Sequence, residues 1–138
     1  MRQDSTILRL ATNGPGLTDI TGDVAHWLIG TGIAHGLLTL LCRHTSASLL
    51  ITENASPAVR RDLLRWFDRS APRGSDYEHD DEGPDDMPAH LRSILTGVNL
   101  ALPVADGRLL LGTWQGIFLA EHRDVPHRRE VACHVFGT

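Results

Sequence analysis

The chain contains no lysine; all thirteen of its basic residues are arginine. This excludes Schiff-base and other lysine-amine chemistry. Cysteine is almost as scarce. Cys42 and Cys133 are isolated in strand-like sequence and neither belongs to a CxxC pair. They are expected to be small buried hydrophobes in a reducing cytoplasm. No apolar run approaches the roughly 18 residues of a membrane helix. The opening MRQDSTILRL lacks the apolar stretch of a signal peptide. The chain has no basic stripe for nucleic acid, no GxGxxG or Walker cradle for phosphate, and no GxSxG elbow for a serine nucleophile.

Negative charge, by contrast, is concentrated in one place. Residues 77–90, YEHDDEGPDDMPAH, hold six of the seventeen acidic residues, two of the eight histidines and no arginine. Outside this segment acids and arginines nearly balance, so the net charge of −4 is a local feature. Acids massed this way repel one another unless a cation joins them. A divalent metal, a cationic substrate, arginines from elsewhere or solvent around a mobile loop would each answer the charge.

At 138 residues the chain is expected to form one domain burying about two-thirds of its unfolded surface. Thr6–Ala11 reads as a strand. From Asp19 to Ile33 apolar residues recur at helical spacing, stopped by Gly30 and Gly32. Gly36–Arg43 and Ala47–Thr52 suit strands flanking the turn His44-Thr45-Ser46. Ser56 and Pro57 signal the cap and first residue of a second helix with the stripe Val59, Leu63, Trp66 and Phe67. Asp86 is predicted to cap a third helix, ending at Gly97, with the stripe His90, Leu91, Ile94 and Leu95. Strands follow over Val98–Val104, Arg108–Thr113, Gly116–Glu121 and Arg129–Phe136, with a tight turn at Ala105-Asp106-Gly107. The prediction is a single α+β domain with a mainly antiparallel sheet or sandwich and about three helices.

Three clusters carry potential chemistry. His44-Thr45-Ser46-Ala47-Ser48 offers hydroxyls and backbone N–H groups for phosphate oxygens, and an imidazole able to ligate metal or move a proton. Neighbours on an extended chain point to opposite faces, which disfavours an adjacent Ser–His pair. In the acidic segment, His79, Asp80 and His90 suit a catalytic transition metal, whereas carboxylates alone suit Mg²⁺. His-x10-His matches no compact ligand motif, and a solvated loop is the plain alternative, but Gly83-Pro84 and Met87-Pro88 stiffen it and Tyr77, Met87 and Leu91 can anchor it. The third cluster is Gly112-Thr113-Trp114-Gln115-Gly116 followed by Glu121-His122-Arg123. Trp114 can stack on a heteroaromatic ring or simply pack, and Gln115 can read a ring edge. Arg123, Arg128 and Arg129 can neutralise phosphate or the acidic segment.

HTSASLLITENASPAVRRDL, YEHDDEGPDDMPAH and GRLLLGTWQGIFLAEHRD resemble, in that order, the signature blocks of the YjbQ-like proteins, also called the secondary thiamine-phosphate synthase family. The resemblance runs from about residue 36 to the C-terminus. It implies a compact α+β homotrimer and an activity that couples hydroxymethylpyrimidine diphosphate to thiazole phosphate. The family's recurrent polar positions fall on His44, Ser46, Ser48, Asn54, His79, Asp80, His90, Gln115 and Glu121. His122 stands where similar proteins have phenylalanine, an exchange that a required metal ligand would not tolerate.

On a synthase-like reading His44, Asp80 and Glu121 are catalytic, with Asp80 and Glu121 holding Mg²⁺ against the leaving diphosphate. Ser46, Ser48, Asn54, Trp114, Gln115, Arg123 and Arg128 then bind substrate. On a hydrolytic reading a transition metal sits on His79, Asp80 and His90, or on the two histidines with His44, and Glu121 activates water. A third reading keeps the pocket as a binding site for a small phosphorylated metabolite, without turnover. All three expect His79, Asp80 and His90 to converge with His44 nearby, and Arg123 or Arg128 to complete a neighbouring subunit's site. No nucleic-acid or membrane partner is expected.

Overall fold

In the computed structural model, which describes residues 1–74 and 76–138, short apolar and alternating segments fold into two antiparallel sheets. The elements are β1 (Arg2–Thr12), β2 (Gly16–Asp19), α1 (Thr21–Thr31), β3 (Gly36–Cys42), β4 (Ala47–Glu53), α2 (Pro57–Ser70), α3 (Asp86–Thr96), β5 (Asn99–Ala105), β6 (Arg108–Leu109), β7 (Gln115–Glu121) and β8 (His127–Gly137). One sheet has the order β1-β8-β3-β5-β6 and the other β2-β7-β4. The α+β expectation holds.

The core lies between the sheets. Leu38, Leu40, Leu102, Val131 and Val135 meet Leu49, Ile117 and Leu119, and Val24 and Leu28 of α1 close one end. Both cysteines are free and buried within it. Burial pushes the Cys133 thiol up to about 11, so it is inert as a nucleophile. Strand β7 is buried from Gly116 through Glu121, because its second face is covered as well; the Arg60 guanidinium of α2 lies over the Phe118 ring. Among the described residues no helix is long and apolar enough to cross a membrane.

Two glycines set the closest approach between strands. Gly36 of β3 and Gly137 of β8 face each other, and a Cβ on either would run into the other strand's backbone. The β5–β6 hairpin turns through Asp106 (φ 51°) and Gly107 (φ 72°), the conformation the Asp-Gly pair predicts. Gly32 caps α1 with φ 72°, also as the sequence suggests.

Several local expectations are corrected. Strand β2 was not foreseen, and only Arg108–Leu109 of the predicted Arg108–Thr113 strand forms. The Ser56 side chain makes no cap bond; its backbone N–H instead donates to the Glu53 carboxylate. Of the α2 stripe only Phe67 is fully buried.

The largest correction is α3, whose buried face is the polar one. Asp86, Ala89, Arg92 and Ser93 face inward, while Ile94 and Leu95 are 78% and 56% exposed. Hydrogen bonds explain the inversion. Ser93 Oγ donates to the Ala47 carbonyl at 3.3 Å, Thr96 Oγ1 donates to Ser48 Oγ at 2.6 Å, and Arg92 donates to the Ala71 carbonyl at 2.9 Å. The cap position falls on Asp85, which makes no side-chain cap bond, while Asp86, predicted as the cap, is the first helical residue and spends its carboxylate on side chains.

Candidate functional site

The first turn of α3 brings Asp86 and His90 onto one helix face, since residues four apart are neighbours there. The acidic segment folds back to add His79. Asp86 Oδ2 lies 2.7 Å from His79 Nε2 and 3.0 Å from His90 Nε2, and ligand atoms of all three residues fall within 4.8 Å of one another. Asp86 is buried, whereas both imidazoles reach solvent.

The far side of each group is fixed. His90 Nδ1 donates to the Thr45 carbonyl at 2.8 Å. A carbonyl and a carboxylate are both acceptors, so His90 has an acceptor opposite each ring nitrogen. Asp86 Oδ1 accepts from Arg123 Nη1 at 2.7 Å. Burial alone drives the Asp86 carboxyl up, but the hydrogen bond from His79 and the Arg123 charge outweigh it and hold the group below the usual carboxylate range. The same hydrogen bond raises the pKa of His79.

Arg123 is the hub of the acidic segment. It also donates from Nε to Asp85 at 2.9 Å and from Nη2 to the Glu82 carbonyl at 3.1 Å. Asp85 accepts the Asp124 backbone N–H as well, at 2.8 Å, and Arg73 pairs with the Asp124 carboxylate. An arginine of the same chain thus answers the segment's charge, which corrects the expectation that Arg123 reaches a neighbour.

Asp80 does not join the cluster. It is exposed and lines a separate surface depression with Tyr77, Glu78, His79, Asp81 and Met87. The carboxylate beside the histidines is Asp86, because helix geometry rather than adjacency to His79 sets the approach. The Asp-x3-His spacing was the readable signal.

Glu121 and Ser48 are corrected too. Glu121 is buried and receives Thr12 Oγ1 at 2.5 Å, Arg129 Nε at 2.8 Å and Nη2 at 2.5 Å, and the backbone N–H groups of His122 and Arg123. Burial opposes its ionisation, but these donors hold its pKa below the ordinary value. A carboxylate so saturated has no lone pair free for a metal or a water proton. Ser48 is fully buried with its Oγ 2.8 Å from His122 Nε2, so it touches no ligand. Burial, and next the Arg92 charge, lower the His122 pKa to about 4. Ser46 Oγ is likewise engaged, accepting from Arg129 at 3.0 Å.

Trp114 and Gln115 lie at the other end of β7 from Glu121, six strand steps or roughly 20 Å away. Trp114 is 64% exposed, Gln115 Oε1 accepts the Gly112 N–H at 2.8 Å, and Asn54 Nδ2 donates to the Gln115 carbonyl at 3.4 Å. Within one chain these three residues form a turn remote from the histidines.

His44 stands closer. With Thr45, His90, Ser93, Ile94, Gly97, Val98 and Asn99 it lines a groove of about 610 Å³ beside α3. Its Nε2 accepts the Glu130 backbone N–H at 2.7 Å, so the neutral ring carries its proton on Nδ1. Burial, then the Arg129 charge, push its pKa below the ordinary value.

These features define a small α+β sandwich with a two-histidine, one-aspartate cluster at the mouth of a partly apolar groove. The chain belongs to the YjbQ-like family of UPF0047 proteins, whose description "UPF0047 protein YjbQ-like" matches residues 6–138. It is 49% identical over 137 residues to a UPF0047 protein of Synechocystis, covering 99% of this chain and 93% of that one. It is 40% identical to the UPF0047 protein YugU of Bacillus subtilis, covering 88% and 89%. A conserved hypothetical protein of Thermus thermophilus superimposes with a TM-score of 0.83 at 41% identity, covering 93% and 97%. An uncharacterised YjbQ/UPF0047 protein of Clostridium acetobutylicum gives 0.85 at 33% identity, covering 96% and 99%.

Proposed function

We propose that the chain is a metal-dependent enzyme acting on a small phosphorylated metabolite, with the metal held by His79, Asp86 and His90. The observation that carries this reading is the meeting of two imidazoles and a buried carboxylate within 4.8 Å, with His90 facing an acceptor on both sides. Two nitrogens and one oxygen suit zinc, manganese or iron better than Mg²⁺, which prefers oxygen alone. When bound, such an ion supplies Lewis-acid polarisation of a phosphate oxygen or a bound water. Arg123 keeps Asp86 in place from its second oxygen, and the Thr45 carbonyl fixes the His90 ring. His44, on the same groove wall, donates from Nδ1 to an incoming oxygen.

Two reactions use this arrangement: hydrolysis of a phosphate ester, and expulsion of diphosphate in coupling hydroxymethylpyrimidine diphosphate to thiazole phosphate. The Asp80–Glu121 pair invoked for Mg²⁺ in coupling is not assembled, and a saturated Glu121 cannot activate water either, so hydrolysis would draw its nucleophile from water polarised by an ion at His79, Asp86 and His90. Homotrimer formation belongs to the same reading. It is supported by exposed Leu37, Leu41 and Phe136 on the outer sheet face and by Ile94 and Leu95 on α3. Light scattering should return about three times 15.1 kDa, and a monomer removes this part.

The enzyme reading is tested with protein stripped by chelator and reloaded with zinc, manganese or magnesium. It is assayed on a panel of phosphate esters and, separately, on the two thiamine precursors. Turnover that requires a transition metal and falls at least 100-fold in His90→Ala is expected, since loss of a ligand removes the ion itself. Equal turnover by His90→Ala overturns the reading.

A further inference from the structure

A second groove, of about 440 Å³, adjoins the first and is lined by Arg9, Leu10, Ala11, His44, Arg128, Arg129 and Glu130. Its charge is unbalanced. The Arg129 guanidinium is spent on Glu121 and Ser46. Arg9 and Arg43 both draw on the single carboxylate of Glu130, at 3.5 Å and 3.2 Å. Arg128 is exposed and pairs with no carboxylate among the described residues. His44 lines both grooves, and its Nδ1–H has no protein acceptor among the described residues.

The walls of the two grooves differ in kind. The α3 groove is bounded by Ile94, Gly97 and Val98 and reaches His90 of the histidine–aspartate cluster. The other is cationic and carries two uncommitted donors, Arg128 and His44. A single ligand crossing His44 would meet the metal-ligating end, then an apolar wall, then an arginine. We propose that Arg128, Arg9 and the Nδ1–H of His44 form an anion subsite, and that the substrate is an amphiphilic phosphate compound whose non-reacting phosphate sits there while its apolar body lies against Ile94 and Val98 and its scissile ester reaches the metal-ligating end. This rests on the functional reading above for the identity of the site, and it adds where the substrate's anionic group is held. Arginine suits the task because its planar fork matches two phosphate oxygens at once. The unprotonated Nε2 of His44, fixed by the Glu130 N–H, keeps Nδ1 a donor throughout the neutral range.

The subsite can be measured apart from the metal. Chelator-treated protein is titrated with phenyl phosphate and with inorganic phosphate, followed by calorimetry or phosphorus NMR at low salt. Phenyl phosphate should bind metal-free protein, more tightly than inorganic phosphate. Arg128→Ala should weaken it about tenfold, as loss of a charge-assisted hydrogen bond does. His44→Phe should weaken it too, whereas Arg69→Ala, on the exposed end of α2, should leave it unchanged. Zinc affinity measured without phosphate should be the same in Arg128→Ala as in the wild-type chain. Binding of phenyl phosphate only after metal loading overturns the subsite and leaves the metal reading standing. Anion binding that responds to Arg128→Ala in a chain that takes up no metal leaves the subsite standing and overturns the metal reading. Equal loss in Arg69→Ala, or equal affinity for the two phosphates, overturns the proposed seating.

Discussion

Arg129→Met should separate what stabilises this fold from what acts in its site. Arg129 is 4% exposed and its partner Glu121 2%. The substitution removes two donors from Glu121 and the donors to the Ser46 carbonyl and hydroxyl. Thr12 and two backbone N–H groups remain on the carboxylate, but its countercharge is gone. Breaking a buried pair from one side costs about 3–5 kcal/mol. The retained donors argue for the lower end, about 3 kcal/mol. An unfolding entropy of about 2.1 cal/mol/K per residue then lowers the Tm by roughly 10 °C for a chain of this length. Acid should narrow the gap. In the wild-type chain the Glu121 pKa is below its unfolded value, so its contribution is present above about pH 4.5 and lost as pH falls through the folded value. Without Arg129 that contribution is reduced already at pH 7, and the two melting temperatures should converge only as pH falls below about 4.5. Calorimetry from pH 7 down to about pH 3 measures both effects. A loss under about 3 °C at pH 7, or a gap that widens in acid, refutes the assignment of Glu121 and Arg129 to the structural core.

His122 offers an independent pH test. Its folded pKa of about 4 lies below the ordinary 6.5, so the unfolded chain binds the extra proton and stability falls as pH drops from about 6.5 towards 4. His122→Phe should flatten that part of the profile, and an unchanged slope would show that the histidine is not held neutral by burial. At the β3–β8 approach, Gly36→Ala places a methyl against the Phe136 backbone and should cost about 1–3 kcal/mol by denaturant titration. A neutral result would mean that the strands are not so close.

Periodicity and turn chemistry made most of the fold legible. The 3.6-residue pattern located α1, short apolar runs located β3 and β4, and Asp106-Gly107 marked its hairpin. Helix α3 was located but turned the wrong way. Its apolar stripe predicts the wrong buried face, because its inward side is held by hydrogen bonds to groups from β4 and the end of α2. No window of sequence displays such partners. The meeting of His79 with His90 was legible from the concentration of charge. Asp86 and His90 have the Asp-x3-His spacing of one helix face, but Asp80 lies next to His79 in sequence and is the carboxylate that adjacency favours. Glu121 was misread for a related reason: Thr12 is 109 residues away and Arg129 lies on the other sheet, so nothing local marks the carboxylate as already satisfied.

The central claim is that His79, Asp86 and His90 hold one metal ion. Calorimetric titration of chelator-treated, tag-free protein with zinc and manganese tests it most directly, alongside Asp86→Asn, His90→Ala and Asp80→Ala. The account predicts one ion per chain in the wild type and in Asp80→Ala, with affinity lowered at least 100-fold in the other two. No uptake by the wild-type chain, or affinity that survives in His90→Ala while collapsing in Asp80→Ala, would contradict it.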